Sequence, residues 1–337
     1  MIAPLTRKLQ NRTDLLPPEM TAAMTEIMSG RVGTQDIADF LLALAEKGET
    51  VQEIVAAASV MRAFAVPVKV KGDVILDTCG TGGDRKGTFN ISTAAAIIVA
   101  ACGVMVAKHG NRSVSSSCGS ADVLEAAGVV LTLPAEKIEQ CLQDVGIAFL
   151  YAPDFHPAMK YAAAARKQLG RRTIFNIMGP LCNPAKATHQ LVGVFSPDLL
   201  HIVAQTLGAL GIKRALVIHS TDGLDEISTT GPTMMCEYRD GRIADCTVEP
   251  GMFGLPKVPI DRLQGGTVAE NAQTMLDILK GAQGIKRDIV VLNAGGALFA
   301  AGKADSIAEG IHAACRALDS GAAIRKFEAL KEFTRHG

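Results

Sequence analysis

The sequence predicts an α/β protein with a small all-helical domain followed by a large domain built around a mostly parallel central sheet. Residues 1–66 show helical spacing and helix-capping patterns, whereas short β-branched runs alternate with helical stretches from residue 74 onward. The chain has 337 residues and is 48% hydrophobic, which is enough for a sizeable core in two such domains.

Residues 1–66 form the predicted helical domain. Pro17 opens a segment with apolar residues at helical spacing, and Gly30 ends it. Thr34 is placed to cap a second helix, and Thr50 with Glu53 forms a capping-box pattern that opens a third.

The large domain, residues 67–337, contains six predicted strands. They are short apolar runs separated by helical stretches, at residues 74–76, 104–107, 129–131, 191–195, 215–219 and 289–292. The alternation of strands with helices favours a largely parallel sheet. Turn-forming residues between positions 236 and 265 predict an antiparallel excursion from that sheet.

Charge and cysteine content narrow the class of protein. Lys plus Arg and Asp plus Glu both number 34, so nothing favours nucleic acid or an anionic membrane surface as a partner. The longest apolar stretch, residues 94–107, is shorter than the roughly 20 residues of a membrane-spanning helix. The 8 cysteines lack metal-ligand spacing and no secretory segment is evident, so we expect reduced thiols and a cytoplasmic protein.

A glycine-rich loop follows the first predicted strand, where residues 77–84 read Asp-Thr-Cys-Gly-Thr-Gly-Gly-Asp. Glycines let a backbone approach a ligand closely, and N–H groups near a helix start favour anions, so the loop suits a phosphate. Gly80 and Gly82 match the dinucleotide fingerprint, but Arg85 replaces its third glycine, and the P-loop pattern is missing. By itself, the loop indicates no more than a tight strand-to-helix turn.

Two polar clusters strengthen the phosphate interpretation. Residues 87–93 read Gly-Thr-Phe-Asn-Ile-Ser-Thr and can cap a helix beginning near Thr93, or contact phosphate and metal-bound water. Residues 108–113 read Lys-His-Gly-Asn-Arg-Ser, and more serines follow to Ser120. Their cations, amide and hydroxyls suit a pyrophosphate, and the apolar run before them places the cluster at the carboxyl end of a buried strand. A solvated basic turn is the alternative.

Two further features suggest a metal site and a carboxylate-binding site. Asp225 and Glu226 are adjacent carboxylates that follow a predicted strand, and hard oxygen donors suit Mg²⁺ bound together with substrate phosphates. Arg166 lies on an Ala-rich predicted helix at 157–169, and its guanidinium fork can bind both oxygens of a carboxylate. A solvated acidic pair and a surface arginine fit the same patterns.

Together, six motifs resemble the anthranilate phosphoribosyltransferase family. In chain order, they lie at residues 80–84, 88–93, 108–112, 172–176, 179–184 and 223–226. Each motif could occur by chance, whereas all of them in this order are specific to the family. The resemblance runs from the first helices to about residue 302.

The resemblance implies the fold of nucleoside phosphorylases and phosphoribosyltransferases. Helices from about 157–185 would join residues 1–66 in a discontinuous helical domain that forms a homodimer, and residues 67–337 would bind phosphoribosyl pyrophosphate. The implied activity moves the phosphoribosyl group from 5-phosphoribosyl 1-pyrophosphate to the amine of anthranilate, in tryptophan biosynthesis. It would require Mg²⁺, with two ions expected.

The resemblance also assigns site residues. Those matching the phosphoribosyl pyrophosphate site are Gly80, Gly83, Asp84, Thr88, Asn90, Ile91, Ser92, Thr93, Lys108, His109, Gly110, Asn111, Arg112, Ser113, Ser115, Ser116 and Ser120. Those matching the anthranilate site are Gly80, Asn111 and Arg166. Those matching the metal site are Ser92, Asp225 and Glu226.

Three residues and the function of the chain have more than one interpretation. An aromatic amine is neutral at pH 7, so we expect no strong general base, and His109 is as compatible with a substrate contact as with base catalysis. Cys79 and Cys118 flank the expected site as possible nucleophiles or as small space-filling residues. A pyrimidine nucleoside phosphorylase-like enzyme and a non-catalytic phosphate-ligand-binding homologue are the alternative functions.

Overall fold

A computed structural model of the chain describes residues 2–84, 86–112 and 118–336. The α helices in these residues are α1 (Ile2–Gln10), α2 (Pro17–Met28), α3 (Thr34–Lys47), α4 (Val51–Phe64), α5 (Ile91–Ala101), α6 (Ser120–Ala126), α7 (Ala135–Asp144), α8 (Ala152–Phe155), α9 (Lys160–Leu169), α10 (Phe175–Leu181), α11 (Leu199–Ala209), α12 (Val268–Leu279), α13 (Ile285–Ala300), α14 (Ile307–Asp319) and α15 (Ala322–His336). The strands are β1 (Ile75–Gly80), β2 (Met105–Gly110), β3 (Ile147–Tyr151), β4 (His189–Gly193), β5 (Arg214–Ser220), β6 (Thr233–Arg239) and β7 (Arg242–Val248).

These strands form one sheet in the order β3-β2-β1-β4-β5-β6-β7. The pairs from β3 through β5 are parallel, and β6 and β7 are added antiparallel. After β1, the chain runs first to β2 and β3 on one side and later to β4 on the other, so the strand order reverses between β1 and β4. Open α/β sheets bind ligands beyond the carboxyl ends of the strands at such a reversal.

The sheet separates two cores. Leu191 and Leu216 face a core that contains α5 and α13, while Val192 and Val217 face a core that contains α1 to α4 and α9 to α11. This alternation follows the two-residue period of a strand, whose successive side chains point to opposite faces. In the described part of the chain, no helix combines the length and the apolar character that crossing a membrane would require.

Helices α9 and α10 pack with the N-terminal helices although they are remote in sequence. Ala162 and Ala165 of α9 and Leu181 of α10 are buried in the same core as Met24 and Leu41. Contacts of α9 with α3 and α2 bring these segments together. The grouping of residues 157–185 with residues 1–66 into one domain is consistent with this packing and stays a prediction.

Four of the predicted strands are confirmed, with shifted ends, as β1, β2, β4 and β5. The strand predicted at 129–131 is wrong: the Val130 N–H donates to Thr334 Oγ1 at 3.1 Å, so a helix side chain satisfies it instead of a neighbouring strand. The strand at 289–292 is also wrong, because this run lies inside α13 and is buried on all sides. A continuous apolar run has no periodicity that separates a buried strand from a buried helix.

Other elements were missed or shifted. The structure adds α1 and the parallel strand β3, neither of which the sequence pattern predicted. Gly33 rather than Thr34 occupies the N-cap of α3, and α5 begins at Ile91 rather than near Thr93. The antiparallel excursion is confirmed, but it begins earlier than predicted, at Thr233.

The capping box of α4 is buried as well as formed. Glu53 is fully buried, and its Oε2 accepts from Thr50 N at 2.8 Å and from Lys47 Nζ at 2.9 Å. Its Oε1 accepts from Leu15 N at 2.9 Å, which ties the connection between α1 and α2 to α4. A single carboxylate therefore links three segments of the helical core.

Replacing this carboxylate should be costly. Glu53→Ala would leave the Leu15 N–H buried without a partner and weaken the pairing of Lys47, so we expect a loss of about 3 kcal/mol in unfolding free energy, measured by urea titration. Glu270→Ala is the matched control, because Glu270 forms the same capping box with Thr267 at an exposed helix start. Similar losses in both variants would contradict the role of burial.

Candidate functional site

The glycine-rich loop lies over the carboxyl ends of β1 and β4. Gly82 and Gly83 have φ values of +63° and +75°, which favour glycine, and Gly82 N donates to Asp225 Oδ2 at 3.0 Å. A Cβ on Gly80 would lie 2.5 Å from the same oxygen, and one on Gly193 would lie 1.7 Å from the Asp225 carbonyl oxygen. Both strand ends therefore need glycine for the acidic loop to rest on them.

Arg172 holds the loop from the side of the helical core. Its Nη2 donates to the Gly83 carbonyl at 2.6 Å, and its guanidinium lies 3.7 Å from the centre of the Phe195 ring. Phe195 N in turn donates to Thr81 Oγ1 at 3.1 Å. Arg172 belongs to a motif noted in the sequence, but its role as a support for the loop was missed, because only the tertiary fold brings it to Gly83.

The acidic pair occupies the centre of the crevice between β1 and β4. Burial and the adjacent Asp84 raise the pKa of Asp225 to about 7, and burial and repulsion by Asp225 raise the pKa of Glu226 well above its ordinary value. Ser92 N donates to Glu226 Oε1 at 3.2 Å. Close carboxylates that resist ionisation together are stabilised by a bound cation, and an all-oxygen set fits Mg²⁺.

Lys108 supplies the positive charge beneath this pair. The side chain is 4% exposed, and its ammonium donates to the Thr78 carbonyl and to Ser92 Oγ, the latter at 3.3 Å. It opposes the rise in the pKa of Glu226. The predicted cation at the end of β2 therefore contacts two residues that line the crevice.

Asn293 of α13 anchors the backbone next to the acidic pair. It is fully buried, its Oδ1 accepts from Ile227 N at 2.9 Å, and its Nδ2 donates to the Ile227 carbonyl at 2.9 Å. This two-way contact fixes the residue that follows Glu226. The sequence interpretation missed Asn293 because it assigned the preceding residues to a strand.

A buried polar network supports the strand ends from below. Asp77 accepts from His109 N at 3.1 Å and from Asn183 Nδ2 at 2.8 Å, and Asn183 also donates to the Ala107 carbonyl at 2.8 Å. Burial raises the pKa of Asp77. These contacts lock β1 to β2 where the site begins, a role that the motif containing Asn183 did not indicate.

His109 and His156 form a buried pair beside the crevice. Their ring centres are 5.1 Å apart, and His109 Nδ1 lies 3.1 Å from the Gly179 carbonyl oxygen, so that nitrogen carries the proton. Burial and the neighbouring His156 lower the pKa of His109 to about 3, and burial lowers the pKa of His156 to about 4. Both rings are neutral at pH 7, and neither Nε2 has a hydrogen-bond partner among the described residues. Both are therefore weak bases.

The residues at the start of α5 lie around the mouth of the site. Asn90 Nδ2 donates to the Cys118 carbonyl at 3.2 Å rather than capping the helix. Thr88 forms a bridge with Gln264, which attaches this loop to the segment before α12. Ile91 and Thr93 are buried in the first turn of α5.

Some residues of the polar cluster after β2 form contacts within the protein. Arg112 pairs with Asp122 at 2.9 Å and with Glu125 at 2.7 Å, so α6 neutralises it in this structure. Ser120 Oγ donates to the Asn111 carbonyl at 3.3 Å, which links the start of α6 to the end of β2. The predicted site residues Ser113, Ser115 and Ser116 lie outside the described residues.

Arg166 lies on α9, a helix that packs in the same core as α1 to α4. Its guanidinium carbon lies 5.4 Å from the centre of the Phe175 ring, and burial lowers its pKa. Among the described residues, no carboxylate lies within ion-pair distance of Arg166. An arginine that is partly desolvated and lacks an internal counter-ion is suited to an anionic ligand.

The two cysteines at the site are poor nucleophiles. Burial raises the pKa of Cys79 well above its ordinary value, and Cys79 Sγ donates to Asp77 Oδ2 at 3.3 Å. Burial also raises the pKa of Cys118. Because a thiolate is the reactive form, both residues fit the space-filling interpretation better.

Comparisons with known proteins identify the family of the chain. Two family profiles match the chain: "Glycosyl transferase family, helical bundle domain" over residues 3–65 and "Glycosyl transferase family, a/b domain" over residues 72–324. The anthranilate phosphoribosyltransferase of Pelotomaculum thermopropionicum is 51% identical, over 99% of this chain and 97% of its own length. That of Petrotoga mobilis is 49% identical, over 97% of this chain and 95% of its own length.

Solved structures are similar over the whole chain. The anthranilate phosphoribosyltransferase of Thermus thermophilus superposes with a TM-score of 0.93 at 42% identity, covering 98% of this chain and 99% of its own. The Saccharomyces cerevisiae enzyme, in complex with phosphoribosyl pyrophosphate and Mg, gives 0.91 at 26% identity, covering 99% of this chain and 98% of its own. A further Saccharomyces cerevisiae structure contains 4-fluoroanthranilate.

The neutral histidine pair predicts acid sensitivity. The unfolded chain takes up a proton at His156 below about pH 6.5, whereas the folded chain does so only near pH 4, so stability is lost as pH falls between these values. His156→Gln should remove about 2 kcal/mol of the decline in unfolding free energy between pH 7 and pH 5, measured by urea titration. The control His312→Gln, at an exposed position, should keep the wild-type slope. An unchanged slope in His156→Gln would refute the prediction.

Proposed function

The chain belongs to the anthranilate phosphoribosyltransferase family, and we propose that it transfers the phosphoribosyl group of 5-phosphoribosyl 1-pyrophosphate to the amine of anthranilate. The products are N-(5-phosphoribosyl)anthranilate and pyrophosphate, a step in tryptophan biosynthesis. The observation that carries this proposal is the convergence of the glycine loop, Lys108 and the acidic pair at the reversal of strand order.

We infer that Asp225 and Glu226 hold Mg²⁺, with Ser92 as a further contact. The raised pKa values of the pair and the all-oxygen donor set support this assignment. So does the Mg in the Saccharomyces cerevisiae complex. When bound, Mg²⁺ supplies positive charge to the pyrophosphate leaving group. We propose two ions, because three carboxylates, including Asp84, gather at one side of the crevice.

The other residues of the crevice would bind and orient the phosphates. The reaction breaks the bond between the ribose anomeric carbon and the pyrophosphate oxygen and forms a carbon–nitrogen bond, so negative charge grows on the leaving group. Loop N–H groups, Lys108, and the side chains of Asn90, Thr93 and Ser120 would stabilise that charge. Residues 108–113 would position the phosphates at the end of β2.

Arg166 would bind the carboxylate of anthranilate and thereby aim the amine at the anomeric carbon. The amine nitrogen loses its proton once the new bond has made that proton acidic, so water can accept it. His109 and His156 have lowered pKa values and are too weakly basic to remove a proton beforehand.

Three further assignments stay predictions. They are a homodimer formed through the helical domain, a cytoplasmic location, and the division of the chain at residue 66. The site-residue roles assigned above likewise rest on the family resemblance together with the geometry of the described residues.

The first experiment follows anthranilate fluorescence in the presence of phosphoribosyl pyrophosphate, with and without Mg²⁺. Loss of signal only when both co-substrate and metal are present would support the proposal. If the signal persists under every condition with folded protein, the proposal fails. Phosphate-dependent cleavage of a pyrimidine nucleoside would then indicate the phosphorylase alternative, and its absence the non-catalytic one.

Arg166→Ala should separate the two substrates. Loss of a charge-assisted contact is worth roughly 1.5–3 kcal/mol, so we expect the KM for anthranilate to rise about 10- to 100-fold and that for phosphoribosyl pyrophosphate to change little. Steady-state kinetics with each substrate varied in turn measures both. Lys167→Ala, at the next and exposed position of α9, should leave both constants unchanged. Equal rises for both substrates would overturn the assigned role.

The acidic pair should be essential for turnover but not for folding. Asp225→Ala with Glu226→Ala removes the proposed metal ligands, and we expect Mg²⁺-dependent kcat to fall by at least about 10³-fold. The isosteric pair Asp225→Asn with Glu226→Gln keeps the volume and should lose as much activity. Circular dichroism should show a wild-type fold for both. Wild-type activity in either double variant would refute the metal assignment.

A further inference from the structure

A second group of possible metal ligands lies on elements that the proposed active site does not use. His201 of α11, Cys236 of β6 and Asp245 of β7 present ligand atoms that all lie within 4.8 Å of one another. His201 Nε2 is 3.0 Å from Asp245 Oδ2. The three side chains therefore already form one compact cluster.

The fold brings these residues together through regular structure. Cys236 and Asp245 are direct partners in the antiparallel pair of β6 and β7, so their side chains share one face. Helix α11 packs closely on that face, because a Cβ on Gly208 would lie 2.3 Å from the Tyr238 ring. His201 lies seven residues before Gly208, two helical turns away, so it points to the same strands.

The donors identify the kind of ion. Thiolate sulphur, imidazole nitrogen and carboxylate oxygen together suit Zn²⁺, whereas Mg²⁺ prefers oxygen alone. Cys236 is fully buried, while the side chains of His201 and Asp245 are 54% and 60% exposed. Solvent therefore reaches the outer side of the cluster, where a water molecule can complete a tetrahedral set.

We propose that His201, Cys236 and Asp245 form a Zn²⁺-binding site that fastens α11 to the β6–β7 pair. On binding, the Cys236 S–H bond breaks, a sulphur–zinc bond forms and one proton passes to solvent. Burial and Asp245 raise the pKa of Cys236 to about 12, so the thiol is protonated until the ion arrives. This site is independent of the proposed transfer reaction and of the acidic pair.

The test uses Co²⁺ as a spectroscopic substitute for Zn²⁺ in the full chain. Cobalt bound to a thiolate gives a near-ultraviolet charge-transfer band, which an all-oxygen site such as the acidic pair cannot produce. We expect one equivalent of Co²⁺ to give the band in the wild type, and one equivalent of Zn²⁺ to abolish it by displacement.

Three variants assign the band. Cys236→Ser and His201→Ala should lose it, and His201→Ala changes only an exposed side chain, so its fold should be retained. Cys246→Ser is the matched control: Cys246 is the next residue to Asp245 in β7 but pairs with Met235, on the opposite face, so the band should persist.

Thermal unfolding gives a second readout. With excess Mg²⁺ present to occupy the acidic pair, stoichiometric Zn²⁺ should raise the midpoint of the wild type and of Cys246→Ser but not that of His201→Ala, because Zn²⁺ bound at the complete cluster favours the folded state. No band in the wild type, or a band that survives both Cys236→Ser and His201→Ala, would overturn the proposal.

Discussion

The close approach of Asp225 to the ends of β1 and β4 is the constraint on which the site depends. Gly80 and Gly193 leave no room for a Cβ between strand and acidic loop, and Gly82 N secures the Asp225 carboxylate. The reversal of strand order opens a crevice at this point, and the glycines let a carboxylate enter it. The loop and the start of helix α5 then both contact the acidic pair, through Gly82 N and Ser92 N.

This arrangement has an electrostatic consequence. Asp84, Asp225 and Glu226 bring like charges together in a partly buried place, and Lys108 offsets only part of their repulsion. The structure tolerates the conflict because buried contacts from other elements hold the backbone around it, above all those of Asn293 and Asn183. A site whose negative charges are held in place and only partly neutralised is suited to bind a cation together with an anionic substrate.

The helices that pack on the other face of the sheet contribute arginine side chains. Arg166 and Arg172 both come from the segment that returns from the sheet to the N-terminal helices, yet they act at different places. Arg172 contacts the loop through Gly83 and Phe195, whereas Arg166 lies over the Phe175 ring and has no carboxylate partner among the described residues. The proposed reaction, which joins a phosphorylated sugar to an aromatic acid, would take its phosphate contacts from the sheet edge and its carboxylate contact from α9.

The sequence by itself determined the fold class, helices α2 to α4, four parallel strands and the motifs of the site, because helical spacing, the Thr50–Glu53 capping box, β-branched runs and glycine loops are local signals. It could not separate strand from helix at 289–292, since a segment buried on all sides has no periodicity. It also could not find His156, or the roles of Arg172, Asn183 and Asn293. Their contacts join residues far apart in the chain, and only tertiary packing decides which distant polar groups meet and which charges lose their solvent.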